Sequence, residues 1–323
     1  MKDLRGFYNI SEDEIILDVT GNDDIQELIT EYKNKIAEKE QTVDEDARAE
    51  ISTEIGELLD RIPESIKNAD VLYVMLYLPT GLPYIDDKDH IGIFSKREYA
   101  EKALGYFGSL LFGIEIVHKD DFVRYFGTAF YLYGAKGVLV DNGANYCYID
   151  SGKLVDYHGF LDLISSPVPT KNPDFMLALE KFQQEKSVMD FEGKKEREEK
   201  VRKAFKKAFR KARFIVPLII EGDHEPVYEN NGRLNFFSEA NRDLNFRLPS
   251  CTNSDGREGI PIFTDYVNFE KMYSNSNYKI LTAKAELLLN WEFPCIIINS
   301  GLMLIPYEAA KGLVTREEGN NGK

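Results

Sequence analysis

Two twelve-residue blocks of this chain read as versions of one another. Ile91-Gly-Ile-Phe-Ser-Lys-Arg-Glu-Tyr-Ala-Glu-Lys102 and Ile260-Pro-Ile-Phe-Thr-Asp-Tyr-Val-Asn-Phe-Glu-Lys271 share five identical positions, with Ser95 against Thr264 as a conservative sixth. The order of features around them repeats as well. Upstream, the apolar run Val71–Leu78 corresponds to Phe214–Ile220; downstream, Gly137-Val-Leu-Val-Asp-Asn-Gly143 corresponds to Pro294-Cys-Ile-Ile-Ile-Asn-Ser-Gly301. Internal repetition constrains a fold more than any single motif, because each copy must bury its own core by the same route. It predicts two similar α/β (α+β) domains, each a mixed β-sheet flanked by helices and preceded by a helical pair.

The helical pairs are expected at 23–40 and 44–59 in the first copy and at 173–185 and 192–213 in the second. Ile25, Leu28, Ile29, Tyr32 and Ile36 recur at helical spacing and give one buried stripe. Each pair leads into a strand rich in β-branched and aromatic residues. Ser95, with Glu98 three residues on, has the pattern of a capping box, and Thr264 stands at the equivalent helix start. Between the copies, Ser165-Ser-Pro-Val-Pro-Thr-Lys-Asn-Pro173 holds three prolines and reads as an extended linker. The division is therefore 1–167, 168–314 and a polar tail, 315–323.

Length and composition agree. At 323 residues, with 43% hydrophobic and 12% aromatic content, the chain fills two cores and is not a disordered one. No apolar run reaches 18 residues, so no ordinary membrane span is expected. The acidic Glu12-Asp13-Glu14 stands where a secretory leader would be apolar. Three widely spaced cysteines, Cys147, Cys251 and Cys295, fit a reducing compartment better than a disulfide framework. The expected setting is the cytoplasm.

The order Asp255-Gly256-Arg257, Ile260-Pro261-Ile262-Phe263-Thr264 and Ile296-Ile297-Ile298-Asn299-Ser300-Gly301 resembles the N-terminal domain of the bacterial SseB family, named for enhanced serine sensitivity. The second copy matches throughout. The first is more distant: Phe94-Ser95 replaces Phe263-Thr264, and Asp141-Asn142-Gly143 stands at Asn299-Ser300-Gly301. The resemblance implies a fold and no established enzyme chemistry.

Catalytic signatures are sparse. The histidines His90, His118, His158 and His224 have no His or Cys at metal-site spacing, and no P-loop, nucleophile elbow or dinucleotide fingerprint occurs. No metal or cofactor is expected. The loop Asp86-Asp87-Lys88-Asp89-His90 lacks the regular calcium-loop spacing and reads as a solvated turn. Thr264, beside a helix start, could hold an anion or a peptide carboxylate; the plainer reading makes it a cap, with Phe263 in the core and Arg257 and Asn299 in turns. An enzyme would be a hydrolase or transferase with its site in the cleft between the copies, using Cys251, or His224 with Glu225.

Charge is distributed unevenly. Residues 1–70 carry 20 acidic and 8 basic side chains, whereas residues 194–213 carry 11 basic and 3 acidic. In that basic helix Val201, Ala204, Phe205, Ala208, Phe209 and Ala212 form an apolar stripe, opposite Lys203, Lys206, Lys207 and Arg210. The stripe is expected against the second domain's sheet, and the basic face against solvent, the first domain or an acidic protein partner. A formal net charge of −15 disfavours nucleic acid. The resulting expectation is a non-catalytic interaction or regulatory protein of SseB-like type.

Overall fold

The computed structural model describes residues 23–107, 110–164, 170–187, 192–222, 227–228, 238, 245–253, 255–274, 278–291 and 293–315. Most of the expected linker (165–169), His224, Glu225 and the tail from 316 lie outside the described residues.

The chain opens with two packed helices, α1 (Asp23–Gln41) and α2 (Glu45–Asn68). Asp44 caps α2 by accepting from the Ala47 amide at 2.9 Å. Pro63 argues for a helix end near residue 59, yet α2 continues to Asn68. Ile62 and Ile66 are fully buried, and their burial outweighs the single amide a proline removes. Next come β1 (Val71–Tyr77), β2 (Leu82–Pro83), β3 (His90–Phe94), α3 (Arg97–Phe107), β4 (Phe112–His118), α4 (Phe122–Gly127), β5 (Gly137–Val140), β6 (Cys147–Asp150), α5 (Ser151–Leu154) and α6 (Tyr157–Ile164). The second half repeats the opening with α7 (Pro173–Glu185) and α8 (Lys194–Lys211), which pack on each other. It continues with β7 (Arg213–Ile220), β8 (Phe246–Arg247), β9 (Cys251–Thr252), β10 (Glu258–Ile262), α9 (Tyr266–Tyr273), β11 (Lys279–Lys284), α10 (Ala285–Leu288), β12 (Cys295–Ile298), β13 (Met303–Pro306) and α11 (Tyr307–Val314).

The first sheet runs β4-β1-β3-β5-β6. Strand β1 is antiparallel to β4 and β3, β3 is parallel to β5, and β5 is antiparallel to β6. In the second half β11 is antiparallel to β7, β10 is parallel to β12, and β12 is antiparallel to β13. Ile215 on β7 and Phe263 just past β10 exchange both backbone hydrogen bonds at 2.8 Å, an antiparallel bridge that joins the two groups. The order β11-β7-β10-β12-β13 has the senses of the first sheet, pair for pair. This is a mixed α/β architecture.

Each half has its own apolar core. Leu72, Val74, Ile91, Ile93, Val138 and Val140 face α1, α2 and α4 in the first. Val216, Leu218, Ile260, Ile262, Ile296 and Ile298 face α7 and α8 in the second. The central strands β5 and β12 are buried along their whole length, which explains their unbroken runs of aliphatic residues.

Candidate functional site

The two parallel pairs, β3/β5 and β10/β12, end on equivalent braces. Asn299, at φ 45° beyond β12, accepts from the Thr264 amide at 2.9 Å and donates to the Thr264 hydroxyl at 2.8 Å. In the first half Asp141, at φ 52° beyond β5, accepts from the Ser95 amide and hydroxyl, both at 2.7 Å. Asn and Asp tolerate left-handed backbone better than most residues, and here their side chains bridge the strand ends. Burial raises the Asp141 carboxyl above its ordinary range, against the hydrogen bonds from Ser95.

In the first half the Ser95 hydroxyl donates to Asp141, and α3 begins at Arg97. In the second half Asp265 caps α9, accepting from the Asn268 amide at 2.9 Å, while Thr264 donates its hydroxyl to Asp265. Thr264 and Phe263 are both fully buried, so neither is presented to an anion. Asp265, adjacent to Thr264 and three residues before Asn268, is the cap signal in the sequence. Arg257 stands just before the start of β10, in a turn whose amide bonds Asn253, and Thr264 lies past the strand's other end. The structure brings Thr264, Phe263 and Asn299 together and leaves Arg257 apart.

Between the halves lies a polar seam with clefts on it. Glu180 on α7 accepts from Thr80 at 2.9 Å, and Tyr77 donates to the Gln183 carbonyl at 3.0 Å. Asp89 pairs with Lys136 at 2.6 Å and with Lys181. Burial opposes ionisation of Asp89, but the two lysines outweigh it and hold its carboxyl below the ordinary range. Arg197 on α8 bridges Glu185 at 2.7 Å and Asp87 at 3.1 Å. The loop 86–90, expected as a solvated turn, is thus a docking point for the second half. No group able to hold a metal ion occurs among the described residues. One cleft of about 490 Å³ lies between α4 and α9, and another of about 510 Å³ reaches Asn299 and Ser300. Leu82, Tyr133 and Lys271 line both. Burial, with the charge of Asp265, holds the Tyr133 phenol above its ordinary value. Glu180 gave no sequence signal, since it lies within an ordinary helical pattern, and Tyr133 sits in the turn that follows residues 128–132.

Residues 191–294 match the family model described as SseB protein N-terminal domain. The second half of the chain is similar to an SseB N-terminal domain. The matched segment runs from the residue before the α8 turn to just short of β12, so it contains Arg257, Phe263 and Thr264 and stops before Asn299. Comparison with curated proteins and with solved structures found no match.

Helix α8 is the first helix of the SseB segment. Phe205 and Phe209 are buried, with Phe205 stacked on Phe182 at 4.8 Å and Phe209 against Phe175 and Phe214. Ala212 is buried too, Val201 and Ala208 are half-buried, and Ala204, expected on the stripe, is exposed. The stripe is therefore narrower than its spacing suggests. Lys203 and Lys207 are exposed; Lys206 and Arg210 are half-buried. It is the amino end of the helix, through Arg197, that meets the acidic loop of the first half.

The cysteines are poorly set for nucleophilic chemistry. Burial raises the thiol of Cys251 within the matched segment and, outside it, that of Cys295, and pushes Cys147 up to about 12. A feature missed from the sequence is an apolar patch at one end of the first sheet. Leu110 is 91% exposed and Tyr106 75%. Phe107, beside Tyr106, packs on Tyr84 and Phe112 at 5.1 and 5.3 Å. Leu78 lies against Gly113. Tyr84, pushed up to about 12 by burial and the charge of Asp87, feels Arg197 and so connects the patch to the start of α8.

Proposed function

We propose that the chain is a non-catalytic interaction or regulatory protein built from two SseB-like units, divided at about residue 168. The unit boundaries and the tandem relationship are part of this reading. Supporting it are the common strand order, the common pairing senses and the braces Ser95–Asp141 and Thr264–Asn299, which occupy the same topological position.

The observation that carries an interaction role is the patch at Tyr106, Phe107 and Leu110. Solvated aromatic and aliphatic side chains that sit together on a folded surface mark a place where another molecule is bound. Its chemistry points to a protein, since the aromatic rings suit apolar anchors. The basic outer face of α8, with Lys203 and Lys207 exposed and Lys206 and Arg210 half-buried, favours a partner with an acidic segment. Nucleic acid fits less well against the net charge of −15, and no described helix is long and apolar enough to cross a membrane.

The test is capture from a lysate of the native host, with mass spectrometry, followed by reconstitution with the purified candidate. Leu110→Asp should weaken the reconstituted complex at least tenfold with an unchanged melting temperature. Lys203→Glu with Lys207→Glu should lower the association rate and its salt dependence. Equal binding by all variants would refute the assignment of this surface. Turnover of a substrate dependent on Cys251 would refute the non-catalytic reading.

A further inference from the structure

Strand β4 is an open edge of the first sheet: it pairs with β1 along its whole length and, among the described residues, with no other strand. The Leu78 amide donates to the Leu111 carbonyl and the Lys119 amide to the Asp70 carbonyl, which makes the odd-numbered residues of β4 the ones bonded to β1. The amides and carbonyls of Phe112, Ile114, Ile116 and His118 therefore point away from the sheet, and none has a hydrogen-bond partner among the described residues. Phe112 and Ile114 pack on the α3 side of the sheet with Phe94 and Ala103, and Ile116, on the same side, is 43% exposed. Sheet edges are commonly protected from other strands by lysine, proline or a bulge. The equivalent edge of the second half, β11, has exposed lysines at both ends, Lys279 and Lys284. Strand β4 has none of these protections: its register with β1 is unbroken, and its one formal charge is Glu115, which accepts from Tyr125 on the opposite side of the sheet.

We propose that two copies of this chain pair through β4, antiparallel about a two-fold axis at Ile114, so that their first-half sheets become one. The strand is its own complement in that register. Phe112 lies opposite the second copy's Ile116, Ile114 opposite Ile114, and Ile116 opposite Phe112, all of them apolar cross-strand pairs. Each pair exchanges two backbone hydrogen bonds through the groups that otherwise face water. Glu115 falls opposite Gly113, so no like charges meet, whereas an axis at Glu115 would set two carboxylates face to face. A two-fold contact of this kind closes at two copies. The patch of Tyr106, Phe107 and Leu110 borders the same edge, with Phe107 against Phe112 at 5.3 Å. The inference rests on reading this end of the first sheet as an interaction surface, and it names the first occupant of the edge as a second copy.

Sedimentation velocity of the purified full chain over the micromolar range decides it, at about 150 mM salt to screen repulsion between two acidic chains. The wild type should form dimers. Ile116→Lys should weaken the dimer at least tenfold and leave the chain folded by circular dichroism, because Ile116 is partly exposed and its amide is not bonded to β1. Lys284→Glu, on the equivalent edge β11, should change nothing. Cysteine placement reads the register, and it serves even where Ile116→Lys fails to fold. Under a mild oxidant Ile114→Cys should cross-link two copies, since the Cα atoms of a hydrogen-bonded antiparallel pair stand about 5.5 Å apart. Ile116→Cys should not, because its counterpart lies four residues along the strand, about 14 Å away. A chain that stays monomeric would overturn the proposal, as would a dimer unaffected by Ile116→Lys, equal loss in Lys284→Glu, or cross-linking of Ile116→Cys as fast as of Ile114→Cys. No other protein is present in these measurements, so a monomer leaves the reading of the patch to its own test, and a failed capture leaves the dimer standing.

Discussion

Asn299 closes on Thr264 through two hydrogen bonds, accepting the amide at 2.9 Å and donating to the hydroxyl at 2.8 Å. Asp141 holds Ser95 in the same place in the first half, but with a carboxylate that has only acceptors to offer. The second half has the more economical arrangement, since a carboxamide makes the same bridge without burying a charge.

Asp141→Asn should therefore be tolerated. The amide oxygen can accept from the Ser95 amide while the amide nitrogen donates to the hydroxyl, and Asn adopts left-handed backbone readily. The Asp141 carboxyl is raised by burial, so the folded state holds its proton more tightly than the unfolded chain does. Its ionisation removes stability as pH rises from the unfolded value through the folded one. The variant should be neutral at acid pH and up to about 1 kcal/mol more stable at pH 7, read by denaturant melts. A loss of more than 2 kcal/mol at pH 7 would show that the bridge requires the carboxylate.

Glu180 should make the whole protein less stable toward alkaline pH. Its carboxyl is pushed up to about 7 from an ordinary 4.5, so between those values the folded state holds a proton the unfolded state has lost, and stability falls. The span corresponds to at most about 3 kcal/mol. Melting temperatures measured from pH 5 to pH 8 should fall for the wild type and stay flatter for Glu180→Gln.

Burial and charge separate on α8. Phe205 is 1% exposed and stacked on Phe182, so Phe205→Ala should cost about 3–5 kcal/mol. Lys207→Glu, on the solvated face, should change stability by less than about 0.5 kcal/mol. Equal melting temperatures for Phe205→Ala and wild type would place the stripe outside the core.

Gly134 fits the two halves together. It lies at φ +83°, and a Cβ there would stand 2.4 Å from the Pro173 carbonyl oxygen at the start of α7. Gly134→Ala should destabilise by about 2–4 kcal/mol, from backbone strain and the clash together. Limited proteolysis should then cut between the halves sooner than in the wild type.

The sequence by itself determined the features that depend on neighbours along the chain. The stripe of α1, the helical pairs before each strand, the aliphatic runs of β5 and β12 and the alignment of Ser95 with Thr264 were all legible, because periodicity and strand propensity act over a few residues. The extension of α2 past Pro63 and the exposure of Ala204 were not, because each follows from which neighbour covers a surface. Only the tertiary structure decided that Asp141 would accept from the Ser95 hydroxyl, that Arg197 would reach Asp87, and that Glu180 would lie buried between the halves. A polar side chain reads alike in sequence whether it ends in water or in an apolar enclosure; its partner, distant along the chain, settles which.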